Sequence, residues 1–267
     1  IELATDALMT EVNLPIPTRN NGLHPAANSM DLGQALDLIQ KSKRPFILAG
    51  SGVNHSRATT ELVQLAEYLN APVAMTAMGK GCIPEDSPHS LGIFRSSITR
   101  EAIECSDLVI ALGTRFVYRE TGNWTMKFEQ PLLQIDADPT EISKEYPAQV
   151  GICANIRICL QQLNQAFQGQ LRQDGWGGRT AQLRQQFEAN ERPRLVEDLR
   201  AAMPRDAILA VDVHIDGYST LPHFWVYHAG TFIYSPISVS MGIALPAAIG
   251  AQVAYPNRKV VAIAGDG

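Results

Sequence analysis

Four runs of the chain are apolar almost without a break: Pro45-Phe46-Ile47-Leu48-Ala49, Pro72-Val73-Ala74-Met75, Asp107-Leu108-Val109-Ile110-Ala111-Leu112 and Pro131-Leu132-Leu133-Gln134-Ile135. A strand with one wet face alternates apolar and polar residues. A strand that is apolar throughout has to be covered on both faces, and helices supply that cover in a parallel sheet. Between the runs lie apolar residues at helical spacing. Leu32, Ala35, Leu36 and Ile39 form one such set, with Ser29 or Asp31 expected as the cap, and Leu62, Leu65, Ala66 and Leu69 form another. A weaker strand around Gln149-Val150-Gly151-Ile152 leads into a helix through Ile156, Leu160 and Leu163. The pattern predicts an α/β chain built on a Rossmann-like parallel sheet.

Punctuation sets the expected boundaries. Pro15, Pro17, Asn20, Asn21, Gly22 and Pro25 make an extended linker over 13–28, and the Gln- and Gly-rich stretch at 168–180 makes a second. The first complete unit is expected over 29–167. After the second linker, a polar amphipathic helix, a helix with Leu195, Leu199 and Met203, and the strand Ala207-Ile208-Leu209-Ala210-Val211 open a second, truncated α/β unit over 181–267. There is no initiator Met, and Ile1 to Asp6 read as the tail of a strand, so a piece of a longer polypeptide is expected.

Hydrophobic residues make up 45% of the 267 and charged ones 18%, as in a globular protein with a sizeable core. With a net charge of −5 and no basic tract, nothing favours a nucleic-acid or membrane-surface partner. No apolar run nears the ~20 residues that span a bilayer. Cys82, Cys105, Cys153 and Cys159 form no CxxC pair and are expected as buried small hydrophobes in a reducing cytosol, not as a metal site.

Four turns follow the apolar strands: Gly50-Ser51-Gly52-Val53-Asn54, Thr76-Ala77-Met78-Gly79-Lys80-Gly81, Gly113-Thr114-Arg115-Phe116 and Asp136-Ala137-Asp138-Pro139. Open α/β sheets bind ligands at this end of their strands. Glycine turns expose backbone N–H groups to phosphates, Arg115 can pair with a pyrophosphate, and Asp136 or Asp138 can accept from ribose hydroxyls. Tight βα turns of an empty domain account for the same residues. At the far end, Val260-Val261-Ala262-Ile263-Ala264 runs into Gly265-Asp266-Gly267. This is either an ordinary turn or a place for a metal–diphosphate, where glycine admits phosphate oxygens and Asp266 gives Mg²⁺ a hard ligand. His214, His223 and His228 are expected at the surface or with satisfied partners.

Several segments resemble a known family. Arg44 to Gly52, Met78 to Pro88, Leu112 to Gly122 and Ile135 to Ile142 look like the central domain of acetolactate-synthase-type thiamine-diphosphate enzymes. Ser240-Met241-Gly242-Ile243-Ala244-Leu245-Pro246-Ala247-Ala248 and the terminal strand look like the opening of their diphosphate-binding domain. The resemblance implies that residues 1–12 are the tail of a pyrimidine-binding domain, 29–167 the central domain and 181–267 the start of the third. It implies thiamine diphosphate and Mg²⁺ as cofactors. Met241 would prop the bent cofactor, the carbonyl near Val239 would accept from its aminopyrimidine, Gly265 and Gly267 would face the diphosphate, and Asp266 would bind the metal. In the central domain, Gly50, Gly52, Thr76, Met78, Arg115, Asp136 and Asp138 would contact FAD or ADP, or the pocket would be empty, since Ile93-Phe94-Arg95-Ser96-Ser97 replaces a Gly/His-rich loop.

The implied parent is a cytoplasmic homodimer or homotetramer. It would cleave a small-molecule 2-oxo acid and transfer the acyl unit to a second carbonyl. Simple 2-oxo-acid decarboxylation, or a noncatalytic nucleotide-binding or assembly module, is the alternative. The activating Glu would lie outside this chain, so the chain alone is expected to be inactive.

Overall fold

The computed structural model describes residues 26–168, 175–235 and 241–265. The expected tail at 1–12, most of the 13–28 linker, and Val239, Asp266 and Gly267 lie outside them. The four apolar runs do become strands: β1 (Pro45–Ala49), β2 (Val73–Met75), β4 (Leu108–Leu112) and β5 (Leu132–Asp136). With β3 (Ser90–Ile93) and β6 (Val150–Cys153) they form a six-stranded parallel sheet in the order β3-β2-β1-β4-β5-β6. Every residue of β1, β2 and β4 is buried, as unbroken apolarity demands. β3 is not legible as a strand in the sequence: it is short, holds a glycine, and joins β2 through a register shift.

One face of the sheet is covered by α1 (Ser29–Lys41), α2 (Ser51–His55), α3 (Thr59–Leu69) and α5 (Ile156–Phe167). Their Ile39, Val53, Leu62, Leu65, Leu160 and Leu163 pack on Ile47 and Ile110. The cap of α1 is Asn28, neither Ser29 nor Asp31. Asn28 is the last extended residue, and its side chain accepts from the Asp31 N–H at 2.8 Å.

The other face is covered by α4 (Ser97–Cys105) and α6 (Arg179–Ala189). The core here joins Ile98, Ala102, Leu183 and Phe187 to Phe46, Leu48 and Val109. Helix α6 reads as polar, yet two aromatic or aliphatic anchors suffice to seat it. Trp176, within the stretch expected as a linker, joins the same core and donates its indole N–H to the Pro45 carbonyl at 3.2 Å.

A second parallel sheet, in the order β8-β7-β9, holds β7 (Ile208–Val211), β8 (Phe232–Tyr234) and β9 (Val260–Ile263), with α7 (Arg194–Ala202), α8 (Ile215–His223) and α9 (Ala244–Ala254). The two sheets meet at a seam around Glu85. Its N–H donates to the Val226 carbonyl at 2.9 Å, and the Val226 N–H donates back to Glu85 Oε2 at 2.7 Å. Lys80 Nζ reaches the same carboxylate at 2.8 Å, and both charged side chains are almost wholly buried. Buried Arg184 adds bonds to the Glu85 and Ser90 carbonyls, each at 2.7 Å. Among the described residues no helix is long and apolar enough to cross a membrane.

The cysteines depart from expectation in part. Cys82 and Cys159 are buried, but Cys105 is half-buried and Cys153 is exposed at the end of β6, where the strand leaves the covered part of the sheet. Burial pushes the Cys159 thiol up to about 12, which keeps it protonated and inert. Among the described residues no cluster of His, Cys, Asp and Glu could hold a metal.

Candidate functional site

The order of the first sheet reverses between β1 and β4, and ligands of open α/β sheets bind at such a reversal. Here the turns after β1 and β4 touch through backbone alone. The Gly50 N–H donates to the Leu112 carbonyl at 2.8 Å and the Gly52 N–H to the Gly113 carbonyl at 3.1 Å. A Cβ on Gly52 would lie 2.6 Å from Gly113 Cα, and one on Gly50 would overlap the Gly113 carbonyl. Gly113 also has φ +58, so all three positions require glycine.

Above this contact opens a cavity of about 730 Å³, within the range of small-molecule sites. Of the residues singled out from sequence, Gly52, Thr76, Met78, Arg115, Asp136 and Asp138 line it, while Gly50 lies below in the backbone contact. Thr76 fixes its own loop by accepting from the Gly79 N–H at 3.0 Å. Arg115 is largely exposed, 3.9 Å from Glu141, and is thus free to turn toward an anion. Burial raises the Asp136 carboxyl above its ordinary value, partly countered by the Asp138 N–H. Asp138 goes the other way, lowered by the Thr140 hydroxyl and N–H that it accepts.

Sequence reasoning missed Glu120, His55 and Asn155 on the same wall. Glu120 is the most consequential. It also lines two smaller cavities, of about 370 and 290 Å³, beside Arg95. Burial pushes its carboxyl up to about 6, and a bond from the Ala77 N–H at 2.6 Å limits the rise. Its neighbour Arg95 holds φ +91, a conformation rare for a side chain of that size. One sequence signal could have found Glu120: a carboxylate in the turn after a wholly apolar strand.

The second candidate site sits where β7 and β9 end. Met241 is 73% exposed there, standing free at the foot of α9. Asp212, directly after β7, is buried and accepts from the Ala244 N–H at 2.6 Å and the Gly242 N–H at 3.1 Å. Gly265 closes the far wall against His214: a Cβ there would meet His214 Cβ at 3.5 Å. His214 is not a satisfied histidine. Its Nε2 is buried and has no partner among the described residues, while Nδ1 lies 4.0 Å from Asp216. His223 is half-buried with its pKa lowered by burial, and His228 is exposed. An orphaned ring nitrogen beside a glycine at a strand end suits a diphosphate, which needs a close approach and a hydrogen-bond partner. The residues present thus fit thiamine diphosphate. The metal ligand foreseen at Asp266 lies outside the described residues.

Residues 32–163 match the model of the thiamine pyrophosphate enzyme central domain, and 217–267 match the C-terminal TPP binding domain. The chain is 33% identical over 297 aligned positions to a probable acetolactate synthase large subunit of Methanocaldococcus jannaschii, covering all of this chain and 50% of that protein. It is 31% identical to the acetolactate synthase isozyme 2 large subunit of Escherichia coli K12, covering 89% of this chain and 45% of the relative. Glyoxylate carboligase of Escherichia coli O157:H7 is 27% identical, covering 100% and 48%. The chain spans about half the length of the curated relatives it matches.

Proposed function

Because the chain belongs to the thiamine pyrophosphate enzymes, we propose that it forms part of an enzyme that decarboxylates a 2-oxo acid and transfers the acyl unit to a second carbonyl, with thiamine diphosphate and Mg²⁺. One observation carries the reading. Exposed Met241 stands on a turn fixed by Asp212, facing a strand end where Gly265 and the unpartnered His214 Nε2 leave room for an anion. Thiamine diphosphate, when bound, supplies the nucleophilic carbon and the electron sink, and the protein supplies binding and orientation. Met241 would support the cofactor's bent form, with the carbonyl near Val239 as acceptor and Asp266 as the hard oxygen ligand that joins Mg²⁺ to the diphosphate. Acyl transfer is preferred to plain decarboxylation because the relatives named above include synthases and a carboligase. The parent is proposed as a cytoplasmic homodimer or homotetramer, and this chain alone as inactive.

The central cavity is proposed to take an adenine nucleotide, either ADP or the ADP half of FAD. The glycine turns and Arg115 would face the diphosphate, and Asp136 the ribose. Calorimetry with ADP and FAD tests this; no heat from either with a folded sample overturns it. The catalytic reading is tested by titrating thiamine diphosphate into the full-length protein at fixed Mg²⁺. Asp266→Asn keeps the shape of the turn and removes its charge, so affinity should fall while folding holds. Equal affinities would remove Asp266 from the metal site.

A further inference from the structure

We infer that Asp212 is the positioning residue of the cofactor cradle: a single buried carboxylate that sets the Met241 turn and the end of β9 in register with each other. The inference rests on the thiamine-diphosphate reading above. Asp212 is only 2% exposed. Its Oδ1 accepts from the Ala244 N–H at 2.6 Å and its Oδ2 from the Gly242 N–H at 3.1 Å. The backbone N–H groups of Ile243 and Gly265 face the same carboxylate and help to lower its pKa, and the Asp212 N–H itself donates to the Ile263 carbonyl at the end of β9, at 2.9 Å. Three of the N–H groups around the carboxylate belong to the turn that carries Met241 and starts α9. The fourth belongs to the end of β9. Two separate walls of the cradle therefore hang on one side chain.

The electrostatics are consistent with a permanent anion. Burial on its own would raise this carboxyl, but the bonds from Ala244 and Gly242, with the nearby N–H groups of Ile243 and Gly265, outweigh it and hold the group below the ordinary carboxylate range. A carboxylate that accepts several backbone donors stays ionised across neutral pH. Its charge also faces the N-terminus of α9, where unpaired N–H groups and the helix dipole favour a negative partner. The donors of this turn are thus engaged from within the protein. Gly242 has φ +74, and its bond to Oδ2 pins the one residue of the turn that most easily changes direction. Met241 is the neighbour that would swing if it were released.

A plain staple of the fold would behave differently from a positioning residue, and the two are separable. Asp212→Asn keeps the shape, but its NH₂ group opposes a backbone donor. In the full-length protein, amide hydrogen exchange should accelerate at 242–244 and 265 while β7 and the first sheet stay protected. Thiamine diphosphate affinity at fixed Mg²⁺ should weaken roughly 10- to 100-fold, the range for loss of an orienting outer-shell partner. Asp212→Glu retains the charge and displaces it by one methylene, so it should fold and give an intermediate affinity; it serves as the second variant if the Asn form does not fold. Faster exchange across the whole second sheet with affinity unchanged would make Asp212 a staple and overturn the inference. If the unaltered protein takes up no thiamine diphosphate, the cofactor reading fails with it, and exchange confined to 242–244 and 265 would still uphold the clamp.

Discussion

In the first sheet β1, β2 and β4 are buried throughout and helices cover both faces, whereas in the second only β7 is buried along its whole length and β9 is partly open. Helix α9 shows the contrast most sharply. It is apolar on every side; Ala244, Ala248 and Ala251 face the sheet, while Leu245, Ile249 and Val253 form a stripe open to solvent. The candidate site of the first sheet is held by the sheet itself, through backbone contact at the strand reversal. That of the second is held by one carboxylate and by the seam. Two sites with similar local chemistry can thus rest on supports of very different depth.

The seam offers the largest test of that contrast. Glu85→Ala would leave the Lys80 ammonium buried without its partner and the Val226 N–H without its acceptor. Loss of one member of a buried pair costs about 3–5 kcal/mol. The expected outcome in denaturant is a split transition, with Trp225 fluorescence changing before the far-ultraviolet signal of the first sheet. A single transition at the unaltered midpoint would mean that the seam does not couple the two sheets.

A smaller effect is expected inside the first sheet. Gly113→Ala would place a Cβ against Gly52 and force a side chain into φ +58. Strain and overpacking together should cost about 3 kcal/mol, read as a lower denaturant midpoint together with lost ADP binding.

Glu120 gives a pH test of intermediate size. Its carboxyl moves from 4.5 to about 6 on folding, so the folded chain holds this proton more tightly than the unfolded one. The stability this confers is complete below pH 4.5 and disappears as pH rises through 6. The difference amounts to about 2 kcal/mol. Glu120→Gln still accepts from the Ala77 N–H but cannot ionise. It should match the unaltered protein at low pH and exceed it at neutral pH; identical stability curves would show that the carboxylate is already well solvated. The smallest effect is Gly250→Ala. No atom lies within 4 Å of a Cβ there, and the site is inside α9, so Tm should rise with a gain of roughly 0.5–1 kcal/mol.

The first sheet was legible because its evidence is local. Uninterrupted apolarity at Phe46 to Ala49 or Leu108 to Leu112 admits few readings, and the turns after such strands converge by topology. Hence Gly52, Thr76, Met78, Arg115, Asp136 and Asp138 meet on one cavity. Glu120 is weakly marked in the sequence, only by its place in the turn after an apolar strand; the Ala77 N–H that holds it comes from the turn after β2. Helix α6 looks polar in sequence because Leu183 and Phe187 are too few to set a period, although both reach the core. The sequence alone points to a satisfied or solvated His214, whereas its buried Nε2, without a partner among the described residues, depends on where α8 turns from β7. The role of Asp212 could not be read from its position either, since its donors lie far along the chain at Gly242 and Ala244.

The pairing of Lys80 with Glu85 also has a consequence in time. The two residues lie on neighbouring turns of one loop, but Val226, which seals them, is synthesised much later. Until it arrives, the ion pair can keep its water, and the first sheet can close without any penalty for drying two charges. Docking of the second sheet is the step that removes that water, and it is the step at which the Val226 N–H comes to stand in for it. The costly event is therefore deferred to the end of assembly. A chain whose two halves have not yet met carries a hydrated, reversible joint, and one whose halves have met carries a dry and slowly opening one.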